Sequence, residues 1–280
     1  MNSNILCPID FSEESYGVLS YLKYVSHLYE ASVVLVHVIE NKNPLLQFLK
    51  ESDRKNLTKQ IEGRLQGLAN ELESQYDMTV SYKVVHGAVL ESILTLSEEL
   101  NSSMIILGTK GSHGLKNRIT GSTAFRLIRE ASCPVLSMKL GRSVSVVRSI
   151  LLPLDTTKET KQKVESAIKF ATYFKAKIHL ITVVDSENFI ENDLAIYQLE
   201  TTQHYIQEKG ITCSIKLLQE NASTAKTILT YADEEKIDII MLMTQQEANI
   251  KQWFVGSTAK EIIHHSKIPV LSIAPNIVEK

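Results

Sequence analysis

Short, fully apolar runs alternate with longer stretches in which apolar residues recur every three or four positions, and the alternation continues along the chain. In the first half the runs Ile5 to Ile9, Ser32 to Ile39, Val80 to Val85, Met104 to Leu107 and Pro134 to Met138 read as strands. Between them, Ser12 caps a helix that continues to about Glu30, with Glu13 and Glu14 in its first turn where the helix dipole favours them. A polar, heptad-like stretch from about Leu45 to Tyr76 predicts a long exposed helix. Val89 to Leu100 predicts a helix with Leu90, Ile93, Leu94 and Ser97 on one face, and a last helix runs from about Gly121 to Ala131. Apolar strands joined by helical crossovers define an α/β domain, a doubly wound parallel sheet with helices on both faces.

The pattern then repeats. Ile5-Leu6-Cys7-Pro8-Ile9-Asp10 returns as Ile150-Leu151-Leu152-Pro153-Leu154-Asp155. Gly121-Ser122-Thr123 followed by Cys133-Pro134-Val135-Leu136-Ser137 returns as Gly256-Ser257-Thr258 followed by Ile268-Pro269-Val270-Leu271-Ser272. The second copy's strands are expected at Ile150 to Leu154, Lys177 to Val184, Thr212 to Leu218, Asp238 to Met243 and Pro269 to Ile273. A period near half the chain is too long for a solenoid, so two tandem domains are expected, residues 1–141 and 146–280, joined near Gly141-Arg142-Ser143. Each can bury its own core, and the pair is expected to pack as an intrachain pseudo-dimer.

Composition narrows the function. The chain has 280 residues, 44% hydrophobic and 22% charged, as in globular domains. A net charge of −2 supplies no basic field, so no nucleic acid partner is expected. No apolar run approaches membrane-spanning length, and Met1-Asn2-Ser3-Asn4 lacks the basic region of a signal peptide, so a cytoplasmic protein is expected. Cys7, Cys133 and Cys213 show neither redox nor metal-ligand spacing and read as buried, reduced thiols.

The chemistry is concentrated after the fourth strand of the first copy. Gly108-Thr109-Lys110-Gly111 is followed by nine residues and then Gly121-Ser122-Thr123 at a helix start. Glycines permit close backbone approach, and N–H groups and hydroxyls at a helix N-terminus meet an anion, so the parts make a phosphate cradle. Lys110, Lys116 and Arg118 add positive charge. Lys110 and His113 fit equally as solvated surface residues and as phosphate contacts. The pattern is neither a P-loop nor the dinucleotide fingerprint.

Gly-x2-Gly-x9-Gly-Ser/Thr after the fourth strand, with Pro-x-Asp ending the first and His37-Val38 near the end of the second, resembles the universal stress protein family. The similarity spans nearly the whole chain, twice over, as in tandem members. The resemblance implies a five-stranded parallel sheet in each domain, Rossmann-like and adenine nucleotide alpha hydrolase-like, with fifth strands meeting at the dimer interface. It further implies an ATP site. Pro8 and Val38 would lie against the adenine, Asp10 near the nucleoside and ribose, and Gly108, Thr109, Lys110 and Gly111 along the phosphates with His113 nearby. Gly121, Ser122 and Thr123 would meet the phosphates from the helix start, and Mg²⁺ would be held through the phosphates and water.

The second copy departs from this pattern. Met243 stands in place of Gly108 and Gln246 in place of Gly111, while Trp253 and Phe254 replace Lys116 and Arg118. One nucleotide per chain is therefore expected, with a structural or regulatory second domain. His37 reads as a satisfied strand histidine, and His264-His265 point to different helix faces, against joint metal binding. No catalytic residues are assigned. A nucleotide-dependent sensor or regulator is the leading expectation, with a slow ATPase and a nucleotide-independent interaction scaffold or hydrophobic ligand binder as alternatives. A homodimer and an unnamed protein partner stay open.

Overall fold

A computed structural model describes residues 3–40, 50–109, 121–139, 147–154, 160–184, 189–243 and 256–273. The chain divides into two compact units, one for each copy.

In the first unit, β1 (Ser3–Pro8) leads through α1 (Glu13–Gly17) and α2 (Leu19–Tyr29) to β2 (Ala31–Glu40). Then follow α3 (Glu51–Gln75), β3 (Val80–Gly87), α4 (Val89–Glu99), β4 (Ser102–Thr109), α5 (Gly121–Glu130) and β5 (Val135–Lys139). All pairings are parallel, in the order β3-β2-β1-β4-β5. Successive strand residues point to opposite faces, and Ile5, Leu6 and Cys7 are each 0% exposed, so both faces of β1 are covered. Ile5 and Leu6 each contribute about 1.5–3 kcal/mol on burial. Among the described residues the outer strand β3 has one neighbour, β2, and it is half-exposed or exposed along most of its length.

The second unit repeats the plan with β6 (Ser149–Pro153), α6 (Thr160–Phe174), β7 (Lys177–Val184), α7 (Phe189–Glu208) and β8 (Cys213–Gln219). It ends with α8 (Thr224–Glu234), β9 (Ile239–Met243), α9 (Ser257–His265) and β10 (Val270–Ile273). Its strands run parallel in the order β10-β9-β6-β7-β8. The registers of the copies match. Asn4 pairs with Ser32 as Ser149 pairs with Lys177, and Val33 pairs with Val80 as Ile178 pairs with Cys213.

One helix differs from expectation. The stretch from Ser12 to Glu30 is broken at Val18, which ends α1 and begins α2 while its carbonyl accepts from the Tyr21 N–H at 3.0 Å. The break lets a short first helix lie against β4 and β5 while the second packs on β1 and β2. Helix α3 buries the stripe Ile61, Leu65, Leu68, Ala69 and Leu72 against β2 and β3 and exposes the rest, as its heptad-like pattern requires.

Candidate functional site

The first unit has one reversal in strand order. From β1 the chain builds outward through β2 to β3 and then returns to place β4 on the other side of β1. The carboxyl ends of β1 and β4 thus border a crevice of the kind in which open α/β sheets bind ligands. The sequence-derived site residues within the described chain lie on the elements that border it. Pro8 ends β1 and Asp10 follows two residues later; Val38 lies near the end of β2; Gly108 and Thr109 end β4; Gly121, Ser122 and Thr123 open α5. Lys110, Gly111 and His113 lie outside the described residues.

Asp10 is exposed and organises the turn after β1. Its Oδ1 accepts from the Ser12 N–H at 3.0 Å and from the Ser12 hydroxyl. Ser12 Oγ in turn accepts from the Ser15 N–H at 3.2 Å, capping α1. Partial burial pushes the Asp10 carboxyl up, but the hydrogen bonds from Ser12 and Ser15 outweigh it and hold the group below its usual range. A carboxylate therefore stands at the end of β1 at neutral pH. Pro8 and Val38 are half-exposed and supply apolar surface on the adjoining strands.

Gly108 is required here for a different reason from the one its motif suggests. A Cβ at this position would stand 2.1 Å from the Glu14 carbonyl oxygen and 3.0 Å from the Ser15 nitrogen. The absent side chain admits the first turn of α1, the helix that Asp10 and Ser12 start. The Thr109 hydroxyl donates to the Met138 carbonyl at 3.1 Å, so its proton is committed to the sheet.

Two residues that the sequence reading passed over complete this edge. Phe11 has a left-handed backbone, φ 61°, which is costly for a bulky residue and keeps the chain turning sharply after Asp10. Its ring lies 5.0 Å from the His37 ring, and the Arg64 guanidinium carbon, carried by α3, sits 3.9 Å from the Phe11 centroid on a cation–π contact. His37 Nδ1 donates to the Ile9 carbonyl at 2.7 Å. Burial lowers the His37 pKa and the Arg64 charge lowers it further, against the Ile9 hydrogen bond and Asp10. His37 is thus a neutral histidine, its Nδ1 proton engaged by strand backbone. Nothing in the local sequence marks Arg64, since the contact exists only once α3 is laid along the sheet.

The second unit's edge is built differently. Pro153 and Val183 hold the places of Pro8 and Val38, but Met243 ends β9 and is 7% exposed. Thr182 replaces His37, and its buried hydroxyl has no partner among the described residues. Lys163, at the place of Val18, is 3% exposed and its Nζ donates to the Pro153 carbonyl at 2.6 Å, among other contacts. An ammonium is thus buried against the end of β6. Its position on the apolar face of α6, four residues before Ala167 and seven before Phe170, is the signal that could have found it. Gly256 precedes α9 without a side-chain cap. Asp155, Gln246, Trp253 and Phe254 lie outside the described residues, as does the linker at Gly141-Arg142-Ser143.

The three cysteines are free and buried, and burial pushes each thiol up to about 12. His264 and His265 are exposed neighbours whose rings meet edge-on at 4.7 Å. Among the described residues no three His, Cys, Asp or Glu side chains converge, and no helix is long and apolar enough to cross a membrane.

The fold is that of a tandem, doubly wound α/β protein with parallel strands in each unit. The universal stress protein family model matches residues 1–139 and again 147–273, and the chain belongs to that family. Universal stress protein MJ0577 of Methanocaldococcus jannaschii is 26% identical over 156 residues, covering 50% of this chain and 96% of its own. Universal stress protein A homolog 1 of Coxiella burnetii is 32% identical over 143 residues, 48% of this chain and 94% of its own. The crystal structure of a universal stress protein from Archaeoglobus fulgidus aligns over 98% of both chains with a TM-score of 0.80 at 21% identity, a likeness of fold.

Proposed function

We propose that the first domain binds ATP at the crevice between β1 and β4, and that the protein acts as a nucleotide-dependent sensor or regulator in the cytoplasm. What supports this reading is the reversal of strand order between β1 and β4, with an ionised Asp10 following β1, Gly108 near the end of β4 and Gly121-Ser122-Thr123 opening the next helix, α5. A helix start offers unpaired N–H groups to phosphate oxygens. Pro8 and Val38 offer the half-exposed apolar surface a purine needs, and Asp10 has carboxylate lone pairs to accept from ribose hydroxyls. Lys110, Gly111 and His113 belong to the proposed phosphate-binding loop by sequence. Mg²⁺ fits this site as the companion of the phosphates, with Asp10 the acidic group at the edge; bound there, it would neutralise phosphate charge.

The second domain is assigned a structural or regulatory role. Met243 places a side chain where the first copy has none, and Lys163 puts an ammonium against the Pro153 carbonyl, so the same ligand is not accommodated on the same terms.

Calorimetric titration of the full chain with Mg-ATP tests the reading. One site per chain, lost in Asp10→Ala and in Gly111→Arg, is expected. Two sites would overturn the assignment of the second domain, and no site would overturn ATP binding altogether.

A further inference from the structure

The strand registers of the two copies match, so their side chains can be compared place by place, and one difference in charge lies far from the strand carboxyl ends. At the opposite edge of the second unit, where β6, β7 and β8 begin, a cleft of about 600 Å³ is lined by Arg148, Lys175, Lys177 and Lys209, with Gly210 and Thr212 beside them. Its volume is that of a small-molecule site, roughly 300–1,000 Å³. All four cations are exposed, and among the described residues none makes an ion pair. Asp238, which reaches this edge, is taken up by the N–H groups of Arg148 and Ser149 at 2.8 and 2.9 Å and by the Ser149 hydroxyl at 3.0 Å.

The strand registers identify the matching places in the first copy. Arg148 corresponds to Ser3, Lys175 to Glu30, Lys177 to Ser32, and Lys209-Gly210 to Tyr76-Asp77. Four cations in one copy thus stand where the other has no cation and one carboxylate, Glu30, and Gly210 beside them stands where the other has Asp77.

The fold itself does not ask for these cations. Lys175 and Lys209 follow the carboxyl ends of α6 and α7, where a cation interacts favourably with the last carbonyls. Yet Glu30 holds the place of Lys175 with the same left-handed backbone, φ 48° against 53°. Its N–H closes the helix end onto His27 and Ser26, so the cap works with an acid. Two helix carboxyl ends also supply only about one negative charge between them, roughly half a charge each, and so offset about one of the cations. Four cations leave a large surplus.

We propose that this cleft is an anion site of the second domain, taking a small ligand that carries two or more phosphoryl groups. Arg148 supplies a planar fork that matches phosphoryl oxygens in pairs, and the three lysines supply point charges around it. Four exposed cations with one carboxylate, Asp238, at the same edge leave a net positive field that a compact polyanion removes. The site is independent of nucleotide binding by the first domain.

The test is a two-dimensional amide NMR titration of the full chain with sodium tripolyphosphate, which reads each domain separately. Saturable shifts are expected at the amides of Lys177, Gly210 and Thr212, with orthophosphate binding at least about tenfold more weakly, since it engages fewer cations. Arg148→Ser with Lys175→Glu and Lys177→Ser, the residues the first copy carries, should abolish these shifts while leaving Mg-ATP stoichiometry unchanged. Should that triple variant fail to fold, Lys177→Ser alone is expected to weaken binding. Shifts confined to the first domain, or shifts unaltered by the substitutions, would overturn the proposal. Tighter binding by hexa-aspartate than by tripolyphosphate would overturn the ligand class in favour of an acidic protein segment.

Discussion

A side chain on Gly108 would collide with the backbone of Glu14, its Cβ 2.1 Å from the carbonyl oxygen. The last turn of a central strand and the first turn of a helix are in contact because one residue lacks a carbon atom. Gly108→Ala must move α1 or the end of β4, and neither is a flexible side-chain tip. The expected loss of stability is about 1–3 kcal/mol, the usual range for overpacking. Urea unfolding measures it, and an unchanged midpoint would show that α1 yields freely. Because α1 begins at the turn that Asp10 organises, the variant should also bind Mg-ATP more weakly than the native chain.

Arg64, Phe11 and His37 form a stack across three elements, and Arg64 is one of the causes that lower the His37 pKa. Arg64→Ala removes a positive charge near the imidazole while leaving its burial and its bond to Ile9. The His37 pKa should rise, read from its ring proton shifts against pH. Loss of the cation–π contact should cost about 0.5–1 kcal/mol at this exposed position. A His37 titration that stays put or moves down would mean that Arg64 does not act on it.

His179 and Tyr231 share a 3.0 Å hydrogen bond in the second core, and His179 Nε2 is buried without a partner among the described residues. Burial lowers the His179 pKa below its ordinary 6.5, helped by Lys177 and opposed by Glu235. The unfolded chain then takes up a proton before the folded one as pH falls. Stability is fully present above about 6.5 and declines as pH drops toward the folded value, with His37 contributing in the same direction. The urea midpoint should fall between pH 7 and pH 5. It should fall less steeply in the double variant His179→Leu, Tyr231→Phe, which leaves no orphaned hydroxyl; parallel slopes would assign the pH dependence to other groups.

Cys7, Cys133 and Cys213 are 0%, 8% and 6% exposed, with thiols held near 12. An aromatic disulfide reagent at pH 8 should label none of them in the native protein and all 3 in denaturant. Rapid labelling of one thiol without denaturant would reveal local opening of the strand or loop that carries it.

The residues proposed to border the crevice are read from the sequence by a linear rule. Pro8 and Asp10 sit at the end of an apolar run, Gly108 and Thr109 at the end of another, and Gly121-Ser122-Thr123 just before an amphipathic one. The same logic located every strand within a few residues, since an apolar run buried on both faces has little else it can become. The break at Val18 escaped this logic, because a helix-compatible sequence ran straight through it and only packing on β4 and β5 decided the direction of each piece.

By itself the sequence determined the duplication, the α/β alternation and the covered central strands. These depend on periodicity and on residues close together in the chain. Only the tertiary structure decided why Gly108 is glycine, that Arg64 lies over Phe11, that Lys163 is buried against Pro153, and that Arg148, Lys175, Lys177 and Lys209 line one cleft. All but the Lys163–Pro153 contact join segments separated by whole helices or strands. Side-chain pattern records which face a residue turns to the core; it does not record which distant residue will be waiting there, because that is set by the order and twist of the strands beneath.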